Sequence, residues 1–561
     1  MQAHPYQTQK AYHIRRMGEL QRLRTPYESH WGEIAEFIDP SCFRRELDQG
    51  LGNKKRGKII DSTGTTAFRT LASGFHSGAS SPARPWYRLS TFDTDQKEQA
   101  AVKAHIHERQ ARQMEVLAGS NFYRVMHSAY GTLGKLGQFC CLLLEDEIDV
   151  VRLLQLQHGA FWIARDHRGI CDTVYRRFSW TVERVVERFG YANCSYSTQT
   201  AYDTRNYDQK VTVCHAVEPR TRRNAGKIDK KNKPFLSNYW EDGTGSSDTK
   251  MLEESGFDEN PIICPAWELE ADDTYASTWP GEVALADVKM LQAEQRTKLK
   301  AIDEMADPAL QGPTALKNNH RSFLPGSITY VDDPTGKGLR QVKEVNLNIS
   351  YLRDDIEEVR KRIERATFAD LFLMLENLEG IQPRNDFEIG ERKEEKLLAL
   401  GPVLENLYSA LAQVISRTDA IMGRRGLLPE SPPELQGQAL KIEYISVLAQ
   451  AQRAVGTGAI ERFAGFIGNH AAIKPDLMDK YDADEAADQY AEMLGVPPAI
   501  VLSDDKVKEI REARAKEQQR AAQIEQAAAM APAVKQGADA ARLLSEIDTN
   551  GPFSTMVNGG V

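Results

Sequence analysis

The sequence predicts an α+β fold, mainly helical, and three observations carry that prediction. Apolar residues recur three and four apart in several long segments, the mark of helices with one buried face. Between about residues 139 and 217 the period shortens towards two, as in LLQLQ and VTVCHAV, which marks strands. From residue 281 the helical period returns and runs almost to the end of the 561-residue chain.

In chain order, residues 10–38 place Tyr12, Met17, Leu20, Leu23, Trp31, Ile34, Phe37 and Ile38 at one-face spacing, with a break expected near Pro26. A basic, glycine-rich segment follows, LDQGLGNKKRGK. The stretch DSTGTTAFRTLASGFHSGASSPARPWYRL, 61–89, mixes loop-forming Ser, Thr and Gly with Ala67, Phe68, Leu71, Ala72 and Phe75 at helical spacing. It predicts a thin helix leading into a Pro-Trp-Tyr turn. Gly74 and Gly78 sit four apart on that helix. Either a neighbour approaches the backbone closely there, or the glycines serve only a turn. A further helix is expected over 96–118. DHRG, inside FWIARDHRGICDTVYRRF, is a good turn, so this region should hold a hairpin. Residues 222–250 read as exposed loops around one short strand in FLSNYW.

In the second half, GEVALADVKMLQAEQRTKLKAIDEM, 281–305, is a strong helix candidate stopped by Asp307-Pro308. Residues 306–345 carry five turn signals (DP, GP, LPG, DDP, GKG) around a strand-like SITYV. Ile349, Leu352, Ile356, Val359, Ile363 and Ala366 then alternate three and four apart as a heptad seam. Continued to Leu375, this helix would be about 40 Å long. Periodicity alone fits an ordinary core helix equally well. Two long helices around a turn-rich insert, however, read as a stalk with a small head. After ENLEGIQPRND a third long helix is expected over 391–422, with Leu400, Leu404, Leu407, Leu411 and Val414 on one face and a kink at Gly401-Pro402. Residues 440–470 and 481–545 are again mostly helical, and the tail TNGPFSTMVNGGV is expected to be disordered.

At 41% hydrophobic and 27% charged, the chain can bury real cores. Its net charge of −9 argues against a surface that grips nucleic acid throughout, and does not exclude a protein that nucleic acid must pass without sticking. The start resembles no signal peptide, and the densest apolar run, FCCLLL at 139–144, is far short of the roughly 20 residues of a membrane helix. No membrane partner is expected. Seven cysteines with no CxxC predict reduced thiols in a cytoplasmic setting, with Cys140 and Cys141 serving as buried packing.

No catalytic signature emerges. Residues 52–58 fit GxxxxGK, but Ile59 stands where a phosphate loop needs Ser or Thr, and FRRELDQ precedes it in place of an apolar strand. His105 and His107, two apart on a helix, point away from one another. Asp354-Asp355 and Glu357-Glu358 fit the wet face of the seam helix. Neither HExxH, GxSxG nor a paired-cysteine zinc spacing is found. The expectation is no catalytic residue, no cofactor and no metal.

The stretch at 61–89 closely resembles the segment shared by portal proteins, the head-to-tail connectors of short-tailed bacteriophages. Further pieces resemble the family in its order: LRTPYESHWGEIAEFIDP at 23–40, LEESGFDENPIICPAWE at 252–268, GEVALADVKMLQ at 281–292, RATFADLFLM at 365–374, ERKEEKLLALGPVLENL at 391–407 and IEYISVLAQAQR at 442–453. The chain departs from the family at Ala266-Trp267, at YASTWPG, and at Gln382-Pro383-Arg384-Asn385-Asp386, positions that the resemblance places towards the channel.

The resemblance implies a portal fold: a wing (1–280 and 391–439), stem helices (281–305 and 346–375), a clip (306–345), a channel loop (376–390), a crown (440–545) and a disordered tail (546–561). It implies a ring, typically of twelve subunits, at one capsid vertex of the virion, made in the host cytoplasm. Double-stranded DNA would pass through it, driven by a separate terminase large subunit. Tail adaptor or nozzle proteins would dock on the clip, and major capsid and scaffolding proteins would surround it. On that reading Gln382, Arg384 and Asn385 meet DNA in the channel loop, although Arg384 could instead simply pair with Asp386. Lys317, His320, Arg321, Lys337 and Arg340 serve clip docking, and Ile349, Leu352, Ile356, Val359 and Ile363 form the stem seam. One Lys per subunit on a phosphate would make twelve copies grip DNA steeply, so a mixed or acidic lumen is expected. The competing classes are another oligomeric tail protein, which would favour β-rich repeats, and a nucleotide-using packaging enzyme, which would need the complete phosphate loop.

Overall fold

The computed structural model describes residues 8–44, 57–92, 99–227, 229–243, 249–270, 272–306, 310–311, 340–341, 349–376, 399–435, 440–454, 457–471, 474, 476, 480–494, 502 and 506–521. The chain divides into two compact units, Met1–Val455 and Gly456–Val561.

The first unit opens with α1, Gln9–Phe37, capped by Thr8, whose side chain accepts from the Ala11 amide. Pro26 lies inside this helix, which runs through it without the expected break. Its flanking turns are held from outside. The Arg24 guanidinium donates to the carbonyls of Phe161 and Gly159 and to Glu28, while Trp31 sinks into the core. One missing backbone bond is then tolerable. Leu23 is 55% exposed and does not join the buried face; Lys10, His13 and Arg24 do.

Helix α2, Thr63–Ala79, confirms the thin helix, and β1, Tyr87–Ser90, follows the Pro-Trp-Tyr turn. Helix α3, Ala100–Gly119, is the one expected over 96–118; α4, Phe122–Leu136, was not anticipated and ends on Gly137 at φ 80°. The strands come next: β2 Cys141–Asp146, β3 Val150–Gln155, β4 Phe161–Arg165 and β5 Cys171–Thr181. The DHRG turn joins β4 to β5 as expected, with Gly169 at φ 76° and Asp166 Oδ1 accepting the amides of Arg168 and Ile170. Two short helices, α5 Val182–Phe189 and α6 Tyr196–Asp203, interrupt the strand region. Eight residues rich in valine carry too short a period to separate from a strand.

Strands β6 Lys210–Pro219, β7 Phe235–Glu241 and β8 Glu253–Phe257 complete an antiparallel sheet in the order β4-β5-β6-β7-β8. Strand β9, Ile262–Ile263, pairs with β2 in a second sheet, β3-β2-β9. Helix α7, Pro280–Ala306, the pair β10 Leu310–Gln311 and β11 Arg340–Gln341, and helix α8, Ile349–Ala366, follow. Helix α8 does not continue to Leu375. Thr367 Oγ1 turns back to the Ile363 carbonyl at 2.8 Å, Phe368 adopts φ 55°, and a separate α9 covers Ala369–Glu376. Helix α10 runs Gly401–Arg424, and Pro402 lies in its first turn, where a missing N–H costs nothing. Gly401-Pro402 therefore starts this helix, directly after a helical Ala399 and a turn at Leu400. The expected helical stretch 391–398 lies outside the described residues.

The segment after 440 begins as β12, Lys441–Tyr444, which pairs antiparallel with β1 from Tyr87↔Tyr444 to Ser90↔Lys441. It continues as α11, Val447–Ala454, packed on α2. Both belong to the first unit, which reaches Val455. The second unit contains α12 Thr457–Ala471, α13 Ala483–Leu494 and a helical stretch over 506–521. There Arg511 grips both oxygens of Asp484, at 2.5 and 2.7 Å. The tail expected to be disordered lies outside the described residues.

The main core joins α1, α2, α4, both small-sheet partners and the α7–α8–α9 region. Cys140, Cys141, Cys171, Cys194, Cys214 and Cys264 are buried free thiols, as the apolar context of the adjacent pair predicted. Burial pushes the Cys141 thiol well up, so it packs and does not react.

A second core lies between α1 and the five-stranded sheet, around Met17, Leu20, Trp162 and Trp240. His13 sits within it. Its Nε2 accepts from the Asn238 amide at 2.9 Å and its Nδ1 bonds the Tyr175 hydroxyl at 2.9 Å, which in turn donates to Glu218 at 3.0 Å. Burial, reinforced by the Arg220 charge, lowers His13 to about 4. The group is neutral in the fold and charges on unfolding. Its contribution is therefore complete above about pH 6.5 and is lost as pH falls from there towards about 4, worth roughly 3 kcal/mol. Urea midpoints should fall across that window, and His13→Gln should flatten the dependence; equal slopes for both proteins would refute this role.

Candidate functional site

Helices α7 and α8 form an antiparallel hairpin. Asp287 meets Arg362 at 3.6 Å near its base. Further out, burial and then the Asp355 charge hold the Glu294 carboxyl above its ordinary range. Beyond the helices, Leu310 pairs with Gln341 and Gln311 with Arg340, so the same antiparallel register carries into the two-residue strands. The seam lies inside this hairpin. Ile356 is 2% exposed, Val359 and Ile363 are fully buried, and Leu352 is half-buried. They share a core with Val288 and Leu291 of α7 and Phe68 of α2. Asp354, Asp355, Glu357 and Glu358 are exposed, as the wet face predicted. Ile349 begins the helix.

The base of the hairpin is pinned to the start of α2 by Asp61. Its Oδ1 accepts from the Thr63 amide at 2.8 Å and the Thr63 hydroxyl at 2.5 Å. Its Oδ2 accepts from Arg360 of α8 at 2.8 Å and from Gln295 of α7 at 3.0 Å. Gln292 completes the clamp: its Oε1 accepts the amides of Ile60 and Asp61 at 2.6 and 2.8 Å, and its Nε2 donates to the Asp61 carbonyl at 2.9 Å. Burial pushes the Asp61 carboxyl up, but the Thr63 and Arg360 bonds outweigh it and hold the group below its ordinary range. It stays charged, as a three-element clamp requires.

The glycines of α2 explain its thinness. A Cβ on Gly74 would lie 2.2 Å from the Phe372 ring of α9, and one on Gly78 would lie 2.7 Å from Leu448 of α11. Close approach, and not a turn, is their use. At the start of α7, a Cβ on Gly281 would lie 2.0 Å from the Lys135 carbonyl, which also accepts from Trp279 Nε1 at 2.9 Å. Several of the quoted segments, at 61–89, 281–292, 365–374 and 442–453, thus converge on one helix. Asp61, Gln292 and Arg360 escaped the sequence reading because their pairing spans more than two hundred residues.

Of the other expected site residues, Lys317, His320, Arg321 and Lys337 lie outside the described residues, as do Gln382, Arg384 and Asn385. Arg340 belongs to β11. Ala266, Trp267, Tyr275, Ala276 and Trp279 are all buried in the first unit, while Thr278 is exposed. Lys58 is exposed and pairs with Glu36 at 2.5 Å. His105 is buried and His107 exposed, so the two imidazoles diverge. Among the described residues no group of three or more His, Cys, Asp or Glu could hold a metal, and no helix is long and apolar enough to cross a membrane.

Residues 11–501 match the family described as bacteriophage head to tail connecting protein. The chain belongs to this family. It is 42% identical over 549 residues to the portal protein of Salmonella phage epsilon15, covering 97% of each chain. It is also 42% identical over 549 residues to the probable portal protein of Bordetella phage BPP-1, again covering 97% of each. Among solved structures, a chain from the virion of a native gene transfer agent particle is similar at 12% identity and a TM-score of 0.36, over 78% of this chain and 90% of that one. Membership makes the protein a structural connector of the virion, at the portal vertex of the capsid, and not an enzyme. It is a ring-forming component of the head–tail junction.

Proposed function

We propose that this connector forms a ring, of twelve subunits, through which double-stranded DNA is packaged by a separate terminase and later ejected. Helices α7 and α8 are its stem, 306–345 its clip and 376–390 its channel loop. Residues 1–280 and 391–439 make the wing, and residues 440–545 the crown. Tail adaptors would meet the clip at Lys317, His320, Arg321, Lys337 and Arg340. DNA would touch Gln382, Arg384 and Asn385 only transiently, and capsid and scaffolding proteins would surround the wing.

The observation that carries this reading is the uncovered outer part of the hairpin. Its base is pinned and buried, yet Leu299, Ile302 and Met305 of α7 are 50%, 41% and 44% exposed, and Tyr351 of α8 is exposed as well. Large apolar side chains grouped on a projecting hairpin suit burial against a neighbouring copy. Replacing Leu299 and Ile302 together by Glu should leave the secondary structure and unfolding midpoint of the subunit unchanged while lowering ring yield at least tenfold in sedimentation or mass photometry. Rings of undiminished yield would remove the hairpin from the interface.

A further inference from the structure

The loop between β6 and β7 is strongly basic. Residues 220–233, RTRRNAGKIDKKNK, hold seven Arg and Lys against one Asp, in a protein whose net charge is −9. The loop is built and exposed. Its legs continue the ladder through the Arg220 amide, which donates to the Pro234 carbonyl at 2.7 Å. The Asn224 amide donates to Asn232 Oδ1 at 2.9 Å, and Asn232 donates to Asp229 at 2.5 Å. The Arg220 guanidinium holds the carbonyls of Lys231 and Ser255 from below. Lys231 and Lys233 are neutralised by Glu254 at 3.1 Å and Asp258 at 2.8 Å on the β8 side. Arg222, Arg223, Lys227 and Lys230 remain, all exposed and without an ion pair among the described residues.

We propose that this hairpin tip is a second DNA contact, outside the channel, that holds the phosphate backbone of duplex DNA without reading sequence. Four exposed cations on one loop, with no ion pair among the described residues, suit the repeated negative charges of a phosphate backbone. An acidic protein partner fits less well. Protein interfaces are anchored by buried aromatic or large apolar side chains, and Ile228 is the only large apolar residue in this stretch. The tip also differs in purpose from the conduit expected of the lumen. There a grip would stall passage, whereas on an outer surface it would tether. The choice of DNA as the polyanion rests on the proposed function.

The test uses the full-length protein, a covalently closed circular duplex that cannot thread a ring, and a titration of salt. Sedimentation of the same sample reports ring assembly separately, so failure of the ring and failure of the tip are distinguishable. Replacing Arg222, Arg223, Lys227 and Lys230 together by Gln should reduce the slope of log affinity against log salt by about 3 to 4, near 0.9 for each lost phosphate contact. Affinity at moderate salt should fall at least tenfold with ring yield and unfolding midpoint unchanged. A charge-retaining variant, Arg222→Lys with Arg223→Lys, should keep the wild-type slope. An unchanged slope in the quadruple variant would overturn the proposal, and so would binding of polyglutamate more tightly than duplex DNA at equal charge.

Discussion

Ile356→Asp is expected to destabilise the first unit by roughly 3–5 kcal/mol, because it places an unpaired carboxylate inside the hairpin. Ile356 is 2% exposed and shares its core with Val288, Leu291, Val359 and Ile363. The exposed carboxylates one and two positions away cannot help, since the helix turns them to solvent. Soluble yield and the urea midpoint should both drop, and assembled material should be lost with them. Asp354→Ala, two residues away on the wet face, should stay within about 0.5 kcal/mol of the parent. If Ile356→Asp and Asp354→Ala unfold at the same urea concentration, the hairpin is not packed as described.

Gly74→Ala should be the most costly single methyl added to α2. The Phe372 ring already occupies the position that the new Cβ needs, at 2.2 Å from both Cγ and Cδ1. Phe372 also packs on Phe75, with ring centroids 5.6 Å apart, so it cannot swing aside freely. Overpacking of this kind costs about 1–3 kcal/mol, and more where a whole ring must move. Gly18→Ala on α1 meets nothing within 4 Å and should be neutral or stabilising by up to about 1 kcal/mol. Adding Phe372→Leu to Gly74→Ala should recover part of the loss, a coupling of about 1 kcal/mol or more in a double-mutant cycle. Strict additivity of the two substitutions would show that the ring and the glycine do not share that space.

Much of the fold was legible wherever one element's own pattern decides its form. The helices near 10–38, 281–305 and 349–366 carry their buried faces in their spacing, and the DHRG hairpin carries its turn in four residues. Misreadings arose where distant parts override local preference. Pro26 stays helical because Arg24 and Trp31 are anchored on either side of it. The break at Phe368 has neither Gly nor Pro to announce it; the ring of Phe368 packs 6.0 Å from Trp267, far away in sequence. Lys441–Tyr444 is a strand only because β1 offers it an edge. For the site, the seam and the two glycines could be seen, since both are patterns on a single helix. The Asp61 clamp could not, because no local period links Asp61 to Gln292, Gln295 and Arg360.

The central claim is that the hairpin of α7 and α8, pinned by Asp61 and closed around its seam, is the stem of a ring-forming connector. Single-particle electron microscopy of the purified full-length chain tests it most directly. The expected images show closed rings with an open central channel, in which the Asp287–Arg362 pairing places two antiparallel helices along the channel wall of every subunit. Monomeric globules, open filaments, or rings whose channel wall is built from any other part of the chain would contradict it.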